Sequence, residues 1–119
     1  MNLEITQRVV QIPEVYEGGT KSTATLLKET GALEETSGLE VEKVVEVLRR
    51  KPELLDLWLQ RGKDQRLAGG WGIERENGEY RVQKFADGRH LFTPDPVRAV
   101  AEFLVRYLGF IGEASKREQ

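Results

Sequence analysis

The chain has 119 residues, of which 39% are hydrophobic and 32% are charged, so we expect one globular domain, residues 1–119, with its own core. The absence of cysteine excludes disulfides, thiolate zinc sites and thiol nucleophiles, and a formal net charge of −2 disfavours wholesale nucleic-acid binding. There is no signal-peptide pattern and no apolar run of the roughly 20 residues that span a bilayer, so we expect a cytoplasmic protein without membrane contact.

The N-terminal quarter is predicted as an arm followed by a short helix. Residues 1–19 read as an extended arm or a short strand, because β-branched and aromatic residues mix with Pro13 before a pair of glycines. Thr20 or Ser22 can cap the helix that follows. Gly31 is a natural C-terminal stop for that helix, because glycine accepts the left-handed conformation.

The next two helices have stronger sequence signals. Ser37 and Glu40 have the spacing of a capping box, which predicts that a helix begins there. The apolar positions of this helix recur every three or four residues, at Val41, Val44, Val45 and Leu48. Pro52 suits the first position of the following helix, which carries Trp58 and which Gly62 can end.

Asn77-Gly78, inside the sequence ENGE, is a strong hairpin signal, because a type I′ turn needs positive φ at both central residues. A two-residue turn also fixes the register of the strands. The opposed pairs are Glu76 with Glu79, Arg75 with Tyr80, Glu74 with Arg81, Ile73 with Val82 and Trp71 with Lys84. The apolar residues then share one face, which we expect to cover the core: Trp71, Ile73, Tyr80 and Val82.

The remaining elements are a third strand and a last helix. Asp87-Gly88 offers a second turn, which returns residues 89–93 as the third strand of a meander.

Thr93 is predicted to cap the last helix, with Pro94 at its first position and Gly109 just beyond its end. The tail, residues 113–119, is then expected to fray. An arm, about three helices, a small antiparallel meander and a C-terminal helix packed on the sheet indicate an α+β fold.

Catalytic chemistry has little support in these residues. The one histidine, His90, could act with Glu74 or Asp87, but a lone histidine in a small sheet is more often structural. There is no second histidine or cysteine and no EF-hand spacing, so we expect no metal site and no cofactor. The glycines around Trp71 follow a helix and precede a strand, which is the reverse of a phosphate-binding loop. We therefore expect a protein that is not an enzyme.

Nucleic-acid binding is an alternative that the order of elements leaves open. Short helices followed by a hairpin can form a winged helix, with residues 71–85 as the wing, and residues 49–66 are rich in lysine and arginine. The glutamates of residues 29–46 would repel phosphate, which disfavours this interpretation. A small winged-helix regulator of DNA or RNA is therefore the alternative function.

Residues 52–104 carry a composite pattern: a tryptophan-bearing helix, a charged D-x-R step, a glycine–tryptophan pair, a hairpin and a D-P-x-x-A-x-A-x-F helix. Its residues are Trp58, Asp64, Arg66, Gly70, Trp71, Tyr80, Val82, Asp95, Pro96, Ala99, Ala101 and Phe103. The pattern resembles that of small bacterial immunity proteins, including those of contact-dependent inhibition. The resemblance implies a non-catalytic inhibitor that masks a cognate protein toxin stoichiometrically, for example a basic nuclease.

The residues that we assign to such a partner are charged. An acidic face can steer onto a basic nuclease, and residues 29–46 hold six glutamates. The assigned residues are Glu34, Glu35, Glu40, Glu42, Glu46, Asp64 and Arg66. Two plainer interpretations stay open: the glutamates can form the solvated side of a helix, and Asp64 and Arg66 can pin the corner between a helix and a strand. A homodimer through an edge strand or through Phe110-Ile111 is also left open.

Overall fold

The computed structural model of the chain describes residues 2–16, 23–32, 38–62, 71–84 and 90–117. In these ranges the elements are α1 (Leu3–Val10), α2 (Ile12–Tyr16), α3 (Thr23–Glu29), α4 (Val41–Arg50), α5 (Glu53–Gly62), β1 (Trp71–Glu76), β2 (Glu79–Lys84), β3 (His90–Thr93) and α6 (Pro96–Arg117). The predicted α+β class is confirmed, with the C-terminal helix packed on an antiparallel sheet. Five helices rather than about three precede the sheet in the described ranges. None of these helices combines the length and apolarity needed to cross a membrane.

The predicted N-terminal arm is wrong, because residues 3–16 form two helices. Asn2 caps α1: its side-chain oxygen accepts a 2.8 Å hydrogen bond from the backbone N–H of Ile5. Pro13 is the second residue of α2, where the missing N–H breaks no intrahelical bond. The buried positions of α1 follow the helical period and are Thr6, Val9 and Val10. Burial of this stripe against the other helices therefore decides the conformation of a segment that has strand-like composition.

The ends of the middle helices differ in part from the prediction. Gly31 follows α3 with φ +84°, so the predicted stop is confirmed, whereas Thr20 and Ser22 lie outside the described residues. The predicted capping box is wrong: α4 begins at Val41, and the Glu40 side chain at its N-cap makes no capping hydrogen bond. Ser37 also lies outside the described residues. Pro52 directly precedes α5, which extends to Gly62 as predicted.

The core forms where α1, α4, α5 and α6 meet. From α4 it takes Val44, Val45, Val47 and Leu48, all buried. Trp58 of α5 is 1% exposed, and its indole Nε1–H donates a 2.7 Å hydrogen bond to the carbonyl of Val10. The indole also packs edge-on against Phe103 of α6 at 6.4 Å between ring centroids, and Phe103 stacks on Tyr107. One side chain of α5 therefore contacts the end of α1 and the middle of α6.

The strand register follows the prediction at every described pair. Ile73 pairs with Val82 and Glu74 with Arg81, and the strand order is β1-β2-β3. Asn77 and Gly78 have φ values of +52° and +79°, as a type I′ turn requires. Ile73 and Val82 are buried on the face that packs on α6. The predicted turn at residues 87–88 and the side chain of Trp71 lie outside what the structure describes.

The start of α6 is two residues later than predicted. Asp95, not Thr93, is its N-cap: the Asp95 carboxylate accepts a 2.9 Å hydrogen bond from the backbone N–H of Val97, and Pro96 is the first helical residue. Thr93 cannot begin the helix because it is the last residue of β3, paired with Tyr80. Its hydroxyl instead accepts a 3.2 Å bond from the Asp95 N–H.

The end of α6 also differs from the prediction. Gly109 was expected to stop the helix, but α6 continues through it to Arg117, so most of the predicted frayed tail is helical. Gly109 is exposed, and a Cβ built there meets no atom within 4 Å. No neighbour of Gly109 among the described side chains therefore requires glycine, and the helix tolerates it at a modest entropic cost.

We expect alanine at Gly78 and at Gly109 to change stability in opposite directions. Gly78→Ala forces a Cβ into a left-handed conformation and should cost about 1–2 kcal/mol. Gly109→Ala improves an exposed helical position and should add roughly 0.5–1 kcal/mol. Urea denaturation followed by circular dichroism measures both variants, and a change of the same sign in both would contradict these assignments.

Trp58→Phe should lower the free energy of unfolding by about 2–3 kcal/mol, because it leaves the buried Val10 carbonyl without its donor and opens a small cavity. Phe103→Leu is the matched control, since it removes the ring contact but keeps the indole–carbonyl bond. It should cost about 1 kcal/mol. If guanidinium denaturation showed equal losses of unfolding free energy for the two variants, the hydrogen bond would not contribute more to stability than the ring contact does.

Candidate functional site

Three of the residues assigned to a partner lie on the outward side of α4. Glu40, Glu42 and Glu46 are exposed, opposite the buried valines of the same helix. Each carboxylate has a basic partner: Lys43 Nζ at 3.7 Å from Glu40, Arg98 Nη1 at 3.0 Å from Glu42 and Arg50 Nη2 at 2.6 Å from Glu46. Glu40, Glu42 and Glu46, which we call the α4 row, are part of the predicted acidic face. With their basic partners they form a surface of alternating charge.

Arg98 connects this row to α6. Its guanidinium lies 3.0 Å from Glu42 on α4 and 3.9 Å from Glu102 on its own helix. Glu102 in turn accepts from Arg106 one turn further on. The network orders the side chains across two helices that already share the core.

Glu34, Glu35, Asp64 and Arg66 lie outside the described residues. The structure therefore brings together only the α4 part of the predicted partner surface.

The basic segment 49–66 is described only as far as residue 62. Arg49 and Arg50 are exposed at the end of α4, and Arg50 is paired with Glu46. The exposed residues described on α5 are acidic or neutral: Glu53, Asp56 and Gln60. A helix with this outward surface would not favour a phosphate backbone.

The outer face of the sheet carries an ion-paired arginine. Arg81 on β2 places Nη2 at 2.6 Å from Glu74 and Nη1 at 3.2 Å from Glu76, both on β1. The hydrogen bond that Arg81 donates to Glu74 and the nearby charge of Glu76 raise the pKa of Arg81. Phe92, beside Arg81 on β3, is 48% exposed. The predicted pairing of Glu74 with Arg81 is thus confirmed.

His90 is exposed and packs edge-on against Phe92 at 5.4 Å between ring centroids. One of its two proposed carboxylate partners, Glu74, is held by Arg81, and the other, Asp87, lies outside the described residues. Within the described ranges there is no group of three or more histidines and carboxylates arranged to hold a metal.

A cleft of about 460 Å³ opens between α5 and the β1–β2 hairpin, and we call it the α5–hairpin cleft. It is lined by Asp56, Leu57, Leu59, Gln60, Ile73, Arg75 and Tyr80. No motif marks it, because its residues come from three elements. One signal was available: strand alternation puts Arg75 on the same face as buried Ile73, which is an unusual place for an unpaired charge.

Comparison with known proteins adds nothing to this geometry: no family model, no curated protein and no solved structure matches the chain. The similarity to immunity proteins therefore stays a prediction from the sequence.

We expect Glu74→Gln to lower the urea midpoint, because it removes the shortest contact of a half-buried arginine. Glu79→Gln is the matched control on the same face, since Glu79 faces Glu76 across the turn and makes no ion pair within the described residues. It should leave the midpoint unchanged or raise it slightly, because it removes a like-charge pair. A larger loss from Glu79→Gln than from Glu74→Gln would refute this account of the sheet.

Proposed function

We propose that this protein is a non-catalytic binding protein that neutralises a cognate bacterial protein toxin by stoichiometric occlusion, with the α4 row in the contact surface. The observation that carries the proposal is the row itself. Glu42 and Glu46 project into solvent from a helix whose opposite side is anchored in the core, and Glu40 is exposed at the N-cap of that helix. Carboxylates on a rigid element suit recognition of a basic surface, because little order has to be gained on binding.

The ion pairs of the α4 row do not prevent such binding. The Glu42 side chain is 75% exposed and that of Glu46 is 49% exposed, so both pairs are surface pairs of low strength. A partner with several lysines or arginines can therefore take over these carboxylates at small cost. Arg50 and Arg98 would then be released for contacts with acidic residues of the partner.

The exposed carboxylates of the α4 row suit a basic partner that displaces their weakly held basic residues. Many toxins that attack nucleic acid carry a basic groove, and an inhibitor with outward carboxylates can steer onto that groove and block it without chemistry. A basic nuclease is therefore the preferred partner class. The resemblance over residues 52–104 points in the same direction.

The decisive experiment is co-expression with a toxin encoded beside the gene. We expect the protein to restore growth and to form a one-to-one complex with the toxin in size-exclusion chromatography. Failure to rescue growth from any toxin encoded beside it would overturn the proposal. Specific, salt-dependent binding to duplex DNA by the protein alone would favour the winged-helix alternative.

The double variant Glu42→Gln/Glu46→Gln should slow association with the toxin roughly tenfold at low salt, because fewer charges steer the encounter. The matched control is Glu14→Gln/Glu79→Gln, which removes the same charge from exposed positions on other elements. Surface plasmon resonance at two salt concentrations measures both. If the two double variants associate equally slowly, net charge and not the α4 row is responsible.

A further inference from the structure

We infer that the α5–hairpin cleft binds a small zwitterion of the amino-acid class, an apolar amino acid or a dipeptide, whose ammonium group meets Asp56 and whose carboxylate meets Arg75. This inference concerns a surface other than the α4 row. It does not depend on toxin neutralisation.

The first support is a set of polar side chains in the cleft that make no contact with a polar group of the described protein. The side chains of Asp56, Gln60, Arg75 and Tyr80 all line it, and within the described part of the chain none of them has a hydrogen-bond or ion-pair partner. The glutamates of the α4 row and Glu74 are paired, whereas Glu79, which makes no ion pair within the described residues, stands outside the cleft. Polar groups that converge on one cleft without partners are what a small-molecule site requires.

The second support is the arrangement of charge. Asp56 is on α5 and Arg75 is on β1, so the two charges stand on opposite walls, and no ion pair joins them among the described residues. A ligand between the walls would supply each charge with its counter-ion. The planar guanidinium of Arg75 suits a carboxylate, because it can donate two parallel hydrogen bonds. Asp56 can accept from an ammonium group.

The third support is the apolar lining. Ile73 is 1% exposed and forms part of the floor, while Leu57, Leu59 and the ring of Tyr80 are half-buried around it. A volume of about 460 Å³ lies within the range of small-molecule sites and accommodates an amino acid or a dipeptide. An apolar ligand side chain would cover the leucines and the tyrosine ring.

A second depression differs from the α5–hairpin cleft because its charged groups have protein partners. It measures about 190 Å³ and is lined by Arg8, Gln11, Ile12, Leu26, Glu29 and Thr30. Its charged side chains are already engaged: Arg8 pairs with Glu4, and Glu29 also has an interaction partner. The Thr30 hydroxyl accepts a hydrogen bond from the N–H of Ala32. It therefore lacks the free charges that would recognise a zwitterion.

The test is a titration of the full chain, labelled with ¹⁵N, with leucine and with leucyl-leucine, followed by amide chemical shifts and calorimetry. We expect at least one zwitterion to bind and to shift amides of α5, β1 and β2. N-acetyl-leucine amide, which has neither charge, should bind at least about tenfold more weakly. Absence of binding by both zwitterions at millimolar concentration, or equal binding by the blocked compound, would overturn the inference.

Two variants test the charges separately. Asp56→Asn and Arg75→Gln should each weaken binding at least about tenfold, because each removes one charge-assisted contact. Glu53→Gln and Arg49→Gln are the matched controls, since both residues are exposed, are not among the residues that line the cleft and carry the same charges. Because all four positions are exposed, the variants should fold, which circular dichroism verifies. Equal weakening by the controls would also overturn the inference.

Discussion

The position of α5 depends on the buried indole of Trp58. Val10 is the last residue of α1, where a helix leaves carbonyl groups without an intrahelical donor, and the Trp58 Nε1–H satisfies one of them at 2.7 Å. The same ring packs edge-on against Phe103 of α6. A buried carbonyl left unpaired costs more than an ordinary hydrogen bond contributes, so this contact constrains α5 from two sides. Since α5 is also one wall of the α5–hairpin cleft, the packing of Trp58 in the core fixes the position of that wall.

The features that the sequence predicted well depend on residues that are close together in the chain. The hairpin register followed from Asn77-Gly78 because a two-residue turn leaves no freedom in pairing, and alternation then placed Ile73 and Val82 inside. The features that it predicted poorly depend on contacts with residues that are distant in the chain. Residues 3–16 have strand-like composition, yet Thr6, Val9 and Val10 are buried at helical spacing against other helices. Thr93 resembles a helix cap until its pairing with β2 is known, which leaves Asp95 to cap α6.

The surfaces were predictable to a different degree. Helical periodicity was enough to put Glu42 and Glu46 outside, opposite the valine stripe. It could not show that Glu42 meets Arg98, 56 residues away on another helix, and so it exaggerated the acidity of α4. The cleft could not be predicted without the tertiary structure, since Asp56 and Arg75 line one cavity only after α5 and the hairpin pack together. The one sequence feature that indicated the cleft was Arg75, which strand alternation puts on the core-facing side of β1.

The two proposed surfaces suit different ligands for a physical reason. On the α4 row each charge already has a weak exposed partner, so a ligand gains there only by exchanging many pairs at once, which requires a large charged surface. In the cleft, Asp56 and Arg75 have no such partner to displace within the described chain, so a small molecule can gain from each. The core holds both walls in place, because Leu54 and Trp58 anchor α5 while Ile73 and Val82 anchor the hairpin. Binding in the cleft would therefore order only side chains, and that entropic cost is small enough for a few charge-assisted contacts to offset.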